Sequence, residues 1–413
     1  MVTDYSSSED FALSLSFLSI FFVIFYITFM AYKVLKKEQF ARRDILMLLA
    51  NSFIFFGFGY AVLSDHTYGS KLLGVFALVN AIIHFAVSTL LYRLKLGEKN
   101  LFYMIIGLVL VFITIAIPVQ LNGNWVTLLW IGEAALLFWI GRSKAVNMYE
   151  KMSYPLILLA VCSLIQDWGQ AYGNYSAYDI NTRVNPIFNI YFLSSLLFIA
   201  ALVFINFTNQ KYKADSKSNF LLKDLIPYIL PAFLLIVTFL APFLEIANYY
   251  NQLLVDSSFT IDNEMEYSQF KNTDFSHYKA IWLSNYSMLF VSILAIVNLK
   301  KLRNNELAII NVGFIGLAIL AFLISGLFSI SMLRDSYLEQ TLSEYYNRGV
   351  SNLVVRYVSF SFLTILLIIT YRYLKQSFFK VKLNVAFEVV LHITILWVFS
   401  SELINWMDIA ESE

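Results

Sequence analysis

The chain has 413 residues, 59% of them hydrophobic and 14% charged, with a net charge of +1 and a mean hydropathy of +0.68. Water-soluble domains carry about 25% charge, so the composition excludes a water-soluble body, and the near-zero net charge gives no support for a nucleic-acid partner. Cys162 is the only cysteine, which excludes an intrachain disulfide and a thiolate metal site. The four histidines (His66, His84, His277, His392) are too scattered for a zinc pattern, so no metal or cofactor is expected.

The chain opens with MVTDYSSSED, which carries acids and no basic n-region. A cleavable signal peptide is therefore not expected, and the first apolar segment stays as a helix. Apolar runs of about 20 residues, the length that crosses a bilayer as a helix, then recur to the end of the chain. They predict spans over 11–32, 45–64, 72–92, 101–118, 125–141, 153–169, 187–206, 225–245, 279–298, 307–329, 351–371 and 384–403. These runs are continuous and do not alternate, which excludes a β-barrel. The fold class expected is an all-α polytopic membrane bundle of about twelve helices, forming one domain over 1–413.

The loops test that count, because Lys and Arg collect on the cytoplasmic side. Most of the 29 basic residues fall in odd-numbered loops. The first holds Lys33, Lys36, Lys37, Arg42 and Arg43, and the third Arg93, Lys95 and Lys99. The fifth holds Arg142, Lys144 and Lys151, and the seventh Lys211, Lys213, Lys217 and Lys223. The ninth holds Lys300, Lys301 and Arg303, and the eleventh Arg372, Lys375, Lys380 and Lys382. Even-numbered loops hold few, which places both termini outside. Trp125, Trp168, Trp282 and Trp406 all fall at the outer helix ends, where indoles favour the interface. Segment 246–278 is the longest external loop expected, polar and acidic, and too short to be an independent domain.

Polar residues inside the spans are the candidate site. Asn80 and His84, four apart, mark a polar face of the third span. Glu133 lies eight residues from Trp125 and eight from Gly141, near mid-span, where a charge costs roughly 2.5–3.5 kcal/mol on insertion scales. Gly132, Ala134 and Ala135 leave room for a neighbouring helix, and Trp130 lies one turn earlier on nearly the same face. A proton or cation relay, a ligand contact, and a hydrogen bond locking two helices all fit. Asp167, Glu245 and Glu402 lie at outer helix ends with Arg334, Arg348 and Arg356, either lining a polar pocket or serving as interfacial charges. Glu388 and His392 share a face of the last span and are spaced to bond each other. The eighth span holds Pro227, Pro231 and Pro242, the last two expected to bend it.

No GxxxxGK[ST] phosphate loop, GxSxG elbow or HExxH zinc helix is present, which leans against an enzyme. The segment LNGNWVTLLWIGEAALLFWIGR, 121–142, resembles the signature G-x-W-x-x-L-x-W-x-x-E-A-A of the bacterial polytopic membrane proteins called domain-of-unknown-function family 2339. Gly123, Trp125, Leu128, Trp130, Glu133, Ala134 and Ala135 carry it. Tyr149, Glu150, the Asp167–Trp168 pair and the late SSELINW with Glu402 and Trp406 are similar too. The resemblance is strong over 72–170 and weaker beyond. It implies a multipass protein of the bacterial cytoplasmic membrane and supplies no chemistry. Family members carry further helices after the ELxxW segment and a charged stretch at the start, so the chain reads as a fragment or short member. Three functions remain open: a transporter or envelope-related protein with a polar intramembrane site, a non-catalytic membrane scaffold, and, third, an enzyme acting on lipid-linked glycan. The partners expected are membrane lipids and a small solute or lipid-linked substrate.

Overall fold

A computed structural model describes residues 11–36, 42–94, 99–212, 225–263, 266–381 and 383–412. The opening decapeptide and Lys37, Lys95, Lys213, Lys217, Lys223 and Lys382, used above, lie outside the described residues. Among those described, twelve helices are long and apolar enough to cross a membrane, matching the twelve spans expected. The protein is a multipass α-helical membrane protein.

Helix packing divides the chain into two compact units, where the sequence reading treats 1–413 as one domain. The first unit is Met1–Asp167 with Ser194–Leu234, and the second Trp168–Leu193 with Leu235–Glu413. In the first lie α1 (Phe11–Lys36), α2 (Arg42–Ser64), α3 (Leu73–Leu94), α4 (Lys99–Gln120) and α5 (Asn124–Ser143). It also holds most of α6 (Asn147–Gly173) and α7 (Ile190–Lys211) and the start of α8 (Ile226–Asp256). The second unit holds the rest of α8, a hairpin of β1 (Phe259–Asn263) and β2 (Glu266–Phe270), then α9 (Asp274–Val297), α10 (Asn305–Ala321), α11 (Leu327–Glu339), α12 (Ser351–Leu374) and α13 (Asn384–Ser412). A π-helical turn, Phe322–Gly326, joins α10 to α11 within one span.

These segments are helical because a backbone in hydrocarbon must satisfy its own hydrogen bonds. Hydroxyls within the spans follow the same rule. Ser16, Thr28, Thr89, Ser287 and Thr370 each donate to the carbonyl four residues back. Apolar side chains such as Phe17, Phe21, Ile24, Ile293, Leu317 and Leu396 point outward, which a bilayer tolerates and water does not. The first unit's core includes Phe22, Leu48, Phe55 and Ile105. The second is centred on Ile281, Met288, Phe322, Ile330 and Leu366.

Two expectations meet a different structure. Segment 246–278 is not a loop throughout: α8 runs on to Asp256, the antiparallel hairpin follows with Phe259 opposite Phe270, and α9 begins at Asp274. Helices do not stop where the apolar run stops, because their backbone bonding continues into polar sequence. Trp168 is buried, whereas Trp125 and Trp406 are exposed, so Trp168 lacks the open indole that an interfacial anchor presents.

α8 runs through Pro231 and Pro242 as one helix, Ile226–Asp256. Pro242 has no N–H for the carbonyl of Thr238. The Tyr286 hydroxyl on α9 donates there instead, 3.4 Å from the Thr238 oxygen and 3.0 Å from that of Phe239.

Candidate functional site

Helix α5, which carries the signature, is tied to its neighbours by polar contacts along its length. It begins at Gly123, whose φ of +58° and ψ of −137° are a conformation L side chains rarely adopt, so glycine is required there. Ser194 of α7 donates to the Asn124 side chain at 3.2 Å. Thr127 donates to Asp167 of α6 at 2.5 Å and lies 2.7 Å from Ser163. At the far end, buried Arg142 pairs with Glu150 of α6 at 3.0 Å and donates to the Tyr212 carbonyl at 3.1 Å. The helices are close here: a Cβ on Gly141 would sit 2.5 Å from the Glu150 backbone nitrogen. Ala134 and Ala135 are buried, as small residues at a helix contact should be.

Glu133 belongs to this series. The Thr114 hydroxyl of α4 is 3.1 and 3.2 Å from its two carboxyl oxygens, and the Trp130 indole donates to the Thr114 carbonyl at 3.0 Å. Trp130 and Glu133 thus grip one residue of the next helix. Thr114 has one hydroxyl proton and a second acceptor, the Leu110 carbonyl, at 2.9 Å. A carboxylic acid at Glu133 donating to the Thr114 oxygen closes the set with no charge left in the membrane. An apolar cavity of about 300 Å³, lined by Leu110, Thr114, Leu137, Pro155 and Leu159, adjoins Thr114.

The second unit gathers charge where α9 and α12 begin and α11 and α13 end. Arg334 donates to Asp335 from Nε at 2.9 Å and from Nη2 at 2.7 Å, and Nη2 lies 2.8 Å from Asp408. Arg356, only 1% exposed, donates from Nη1 to Glu402 at 3.1 Å and to the Ser401 carbonyl at 3.4 Å. Tyr357 donates to the other Glu402 oxygen at 2.9 Å. Arg348 pairs with Asp274 at 3.4 Å, and Asn352, one turn before Arg356, donates to the same Asp274 oxygen at 3.1 Å. Arg334 and Arg356 lie on α11 and α12, which pack against each other. Each keeps one buried nitrogen with no hydrogen-bond partner among the described residues, Nη1 of Arg334 and Nη2 of Arg356. Ser401 Oγ and Asn405 Oδ1 on α13 are buried and unpartnered as well.

The remaining candidates separate. Glu245 is buried and accepts from the Tyr172 hydroxyl (2.5 Å), the Ile187 N–H (2.8 Å) and the Asn189 amide (2.8 Å). It anchors the loop before α7. His392 donates from Nδ1 to the Glu388 backbone carbonyl at 2.6 Å, not to its carboxylate, and both residues are exposed on α13. His84 is fully buried, 2.9 Å from the Tyr26 hydroxyl and stacked on Phe112, and Asn80 donates to the Phe76 carbonyl. Among the described residues no three His, Cys, Asp or Glu are placed to hold a metal ion.

Thus the structure gives Glu133, Asp167 and Glu402 separate partner sets, the first two in one unit and the third in the other. Sequence reasoning missed Thr114, Thr127, Asp274 and Asp408. A search for hydroxyls and acids at matching depth on other spans is the signal that points to them. A family model described as predicted membrane protein (DUF2339) matches residues 1–409. No curated protein and no solved structure matches.

Proposed function

The chain belongs to this family of predicted membrane proteins, and from that premise we propose that it is a transport or envelope-related protein of the bacterial cytoplasmic membrane that binds an oxyanion at the charged end of its second unit. The observation that carries this reading is the pair of buried arginine nitrogens without partners. A buried donor left unsatisfied costs about 1–3 kcal/mol, more when charged, and such a cost is offset when a ligand supplies the acceptor. Asp274, Asp335, Asp408 and Glu402 outnumber Arg334, Arg348 and Arg356, so the free nitrogens are donors and not surplus charge. That favours a singly charged group, a phosphodiester or carboxylate, over a multiply charged one. The concentration of basic residues in the odd-numbered loops supports an outward position for this end.

The test is thermal unfolding in maltoside micelles with dimethyl phosphate as a soluble probe and phosphatidylglycerol as a membrane-borne one. A ligand held at about 100 times its Kd adds about 2.7 kcal/mol. Stabilisation by at least one probe is expected, and its loss in Arg334→Lys, which keeps the charge but not the fork. No stabilisation by either probe, or stabilisation that Arg334→Lys leaves intact, removes the reading.

A second reading, a scaffold, is favoured for the first unit by the ties along α5. There Glu133→Gln should keep the stability within about 0.5 kcal/mol of the parent, because the amide oxygen can accept from the Thr114 hydroxyl as the carboxyl does. Glu133→Leu should cost about 1–3 kcal/mol. Loss of a host phenotype in a Glu133→Gln variant of unchanged stability would count against a purely structural role.

A further inference from the structure

We propose that the loop between α6 and α7 forms a second binding site, for an uncharged, hydroxyl-rich ligand of the glycan class. The site is a cavity of about 400 Å³, within the size range of small-molecule pockets, between the end of α6, residues 181–189 and the start of α7. It is independent of the arginine pair and of the anion reading.

Its lining is rich in carboxamides. Gln170, Asn174, Asn181, Asn185 and Asn189 all contribute. Two of them hold the loop: Asn181 donates to Asp179 at 3.0 Å, and Asn189 donates to the Asn185 carbonyl and to Glu245. The side chains of Gln170, Asn174 and Asn185 are exposed and make no hydrogen bond among the described residues. Each amide presents a donor pair beside an acceptor, the complement of two neighbouring hydroxyls.

The charge pattern points the same way. None of the lining residues is acidic, and the one basic residue, Arg183, is paired with Asp256 at 3.2 Å. Tyr175 donates to that same carboxylate. Burial, and then the Asp256 carboxylate it donates to, push the Tyr175 phenol above its ordinary range, so it stays a neutral donor. A charged ligand finds no unspent counter-charge here.

The aromatic component is held at a cost. Ile187 has a φ of +64°, an outlier for a β-branched residue that persists only where the surroundings impose it. Glu245 imposes it by accepting the Ile187 N–H, while Gln252, also buried, donates to the Val184 carbonyl at 2.9 Å. The next residue, Phe188, lines the cavity with its ring 89% exposed. The strained backbone at Ile187 sets where Phe188 leaves the loop, beside the free amides, an arrangement that matches sugar recognition, in which a ring covers the C–H face and the amides take the hydroxyls. The alternative is a ring that anchors in lipid headgroups.

The test uses the full chain in nanodiscs and saturation-transfer NMR with maltotriose and chitotriose as soluble probes. A glycolipid doped into the disc serves as the membrane-borne source. Transfer to sugar protons is expected for at least one probe. Phe188→Ala should weaken binding about fivefold, with an unchanged unfolding midpoint because the ring is exposed. Asn174→Ala/Asn185→Ala should abolish it. Transfer to the soluble trisaccharides supports a free glycan, and binding seen with the glycolipid alone supports a lipid-linked one. No binding in any arm overturns the proposal. Binding that survives both variants also overturns it, since the sugar then lies elsewhere and the ring serves the membrane.

Discussion

Replacing Arg356 by Ala should lower stability by about 3 kcal/mol, at the lower end of the range for breaking a buried ion pair. The side chain is 1% exposed and its partner Glu402 21% exposed, so the carboxylate left behind keeps limited access to water. Tyr357 would still donate to it, which compensates for part of the loss. The check is a double-mutant cycle by thermal or denaturant unfolding in one detergent. Arg356→Met with Glu402→Met should recover most of what Arg356→Ala loses, because an apolar pair of similar volume is often neutral. A double variant no better than the single one would show that the loss comes from other bonds of the arginine, such as that to the Ser401 carbonyl, and not from the carboxylate left unpaired.

A comparable loss, about 3–5 kcal/mol, is expected for Glu245→Ala. This carboxylate receives a phenol, a backbone N–H and an amide, and all three lose their acceptor together. The Gln variant is the informative one. One Glu245 oxygen takes Tyr172 and Asn189, and the other takes Ile187. An amide keeps one oxygen and presents N–H groups to a donor at the other position, so Glu245→Gln should still cost about 1–3 kcal/mol. Limited proteolysis should then cut within 180–190, where the parent resists. Wild-type resistance in Glu245→Gln would mean that the loop is held mainly by Gln252 and its own turns.

How much of this was legible in the sequence follows from what each feature depends on. The twelve spans were, because a membrane helix declares itself through local composition. The helix ends were less so: α6, α8 and α11 run past their apolar stretches into polar sequence whose helicity depends on neighbouring elements. Glu133 stood out because a carboxylate in an apolar run is conspicuous. Thr114 did not, because a threonine in a span is ordinary until its depth matches that of an acid on the next helix. The same holds at the charged end. Arg334 and Arg356 were visible as charges near helix ends, whereas Asp274 pairs with Arg348 across more than seventy residues and no local pattern announces it. Gly123 was recognisable as part of a signature, and the backbone angle explains why it is glycine. The anchor role of Glu245 depends on Ile187, whose unusual φ no composition rule foretells.

The bond from Tyr286 to the carbonyls of Thr238 and Phe239 bears on how the chain is made. Before α9 is present, α8 lacks the Tyr286 donor at the Thr238 and Phe239 carbonyls, where Pro242 supplies no N–H, and a backbone group in hydrocarbon that is short of a donor is costly. The donor that relieves it arrives on the next helix in the chain, across the short hairpin of β1 and β2. Biogenesis therefore favours release of α8 and α9 from the insertion machinery as a pair. Tyr286→Phe should leave α8 lingering in that machinery longer than the parent does.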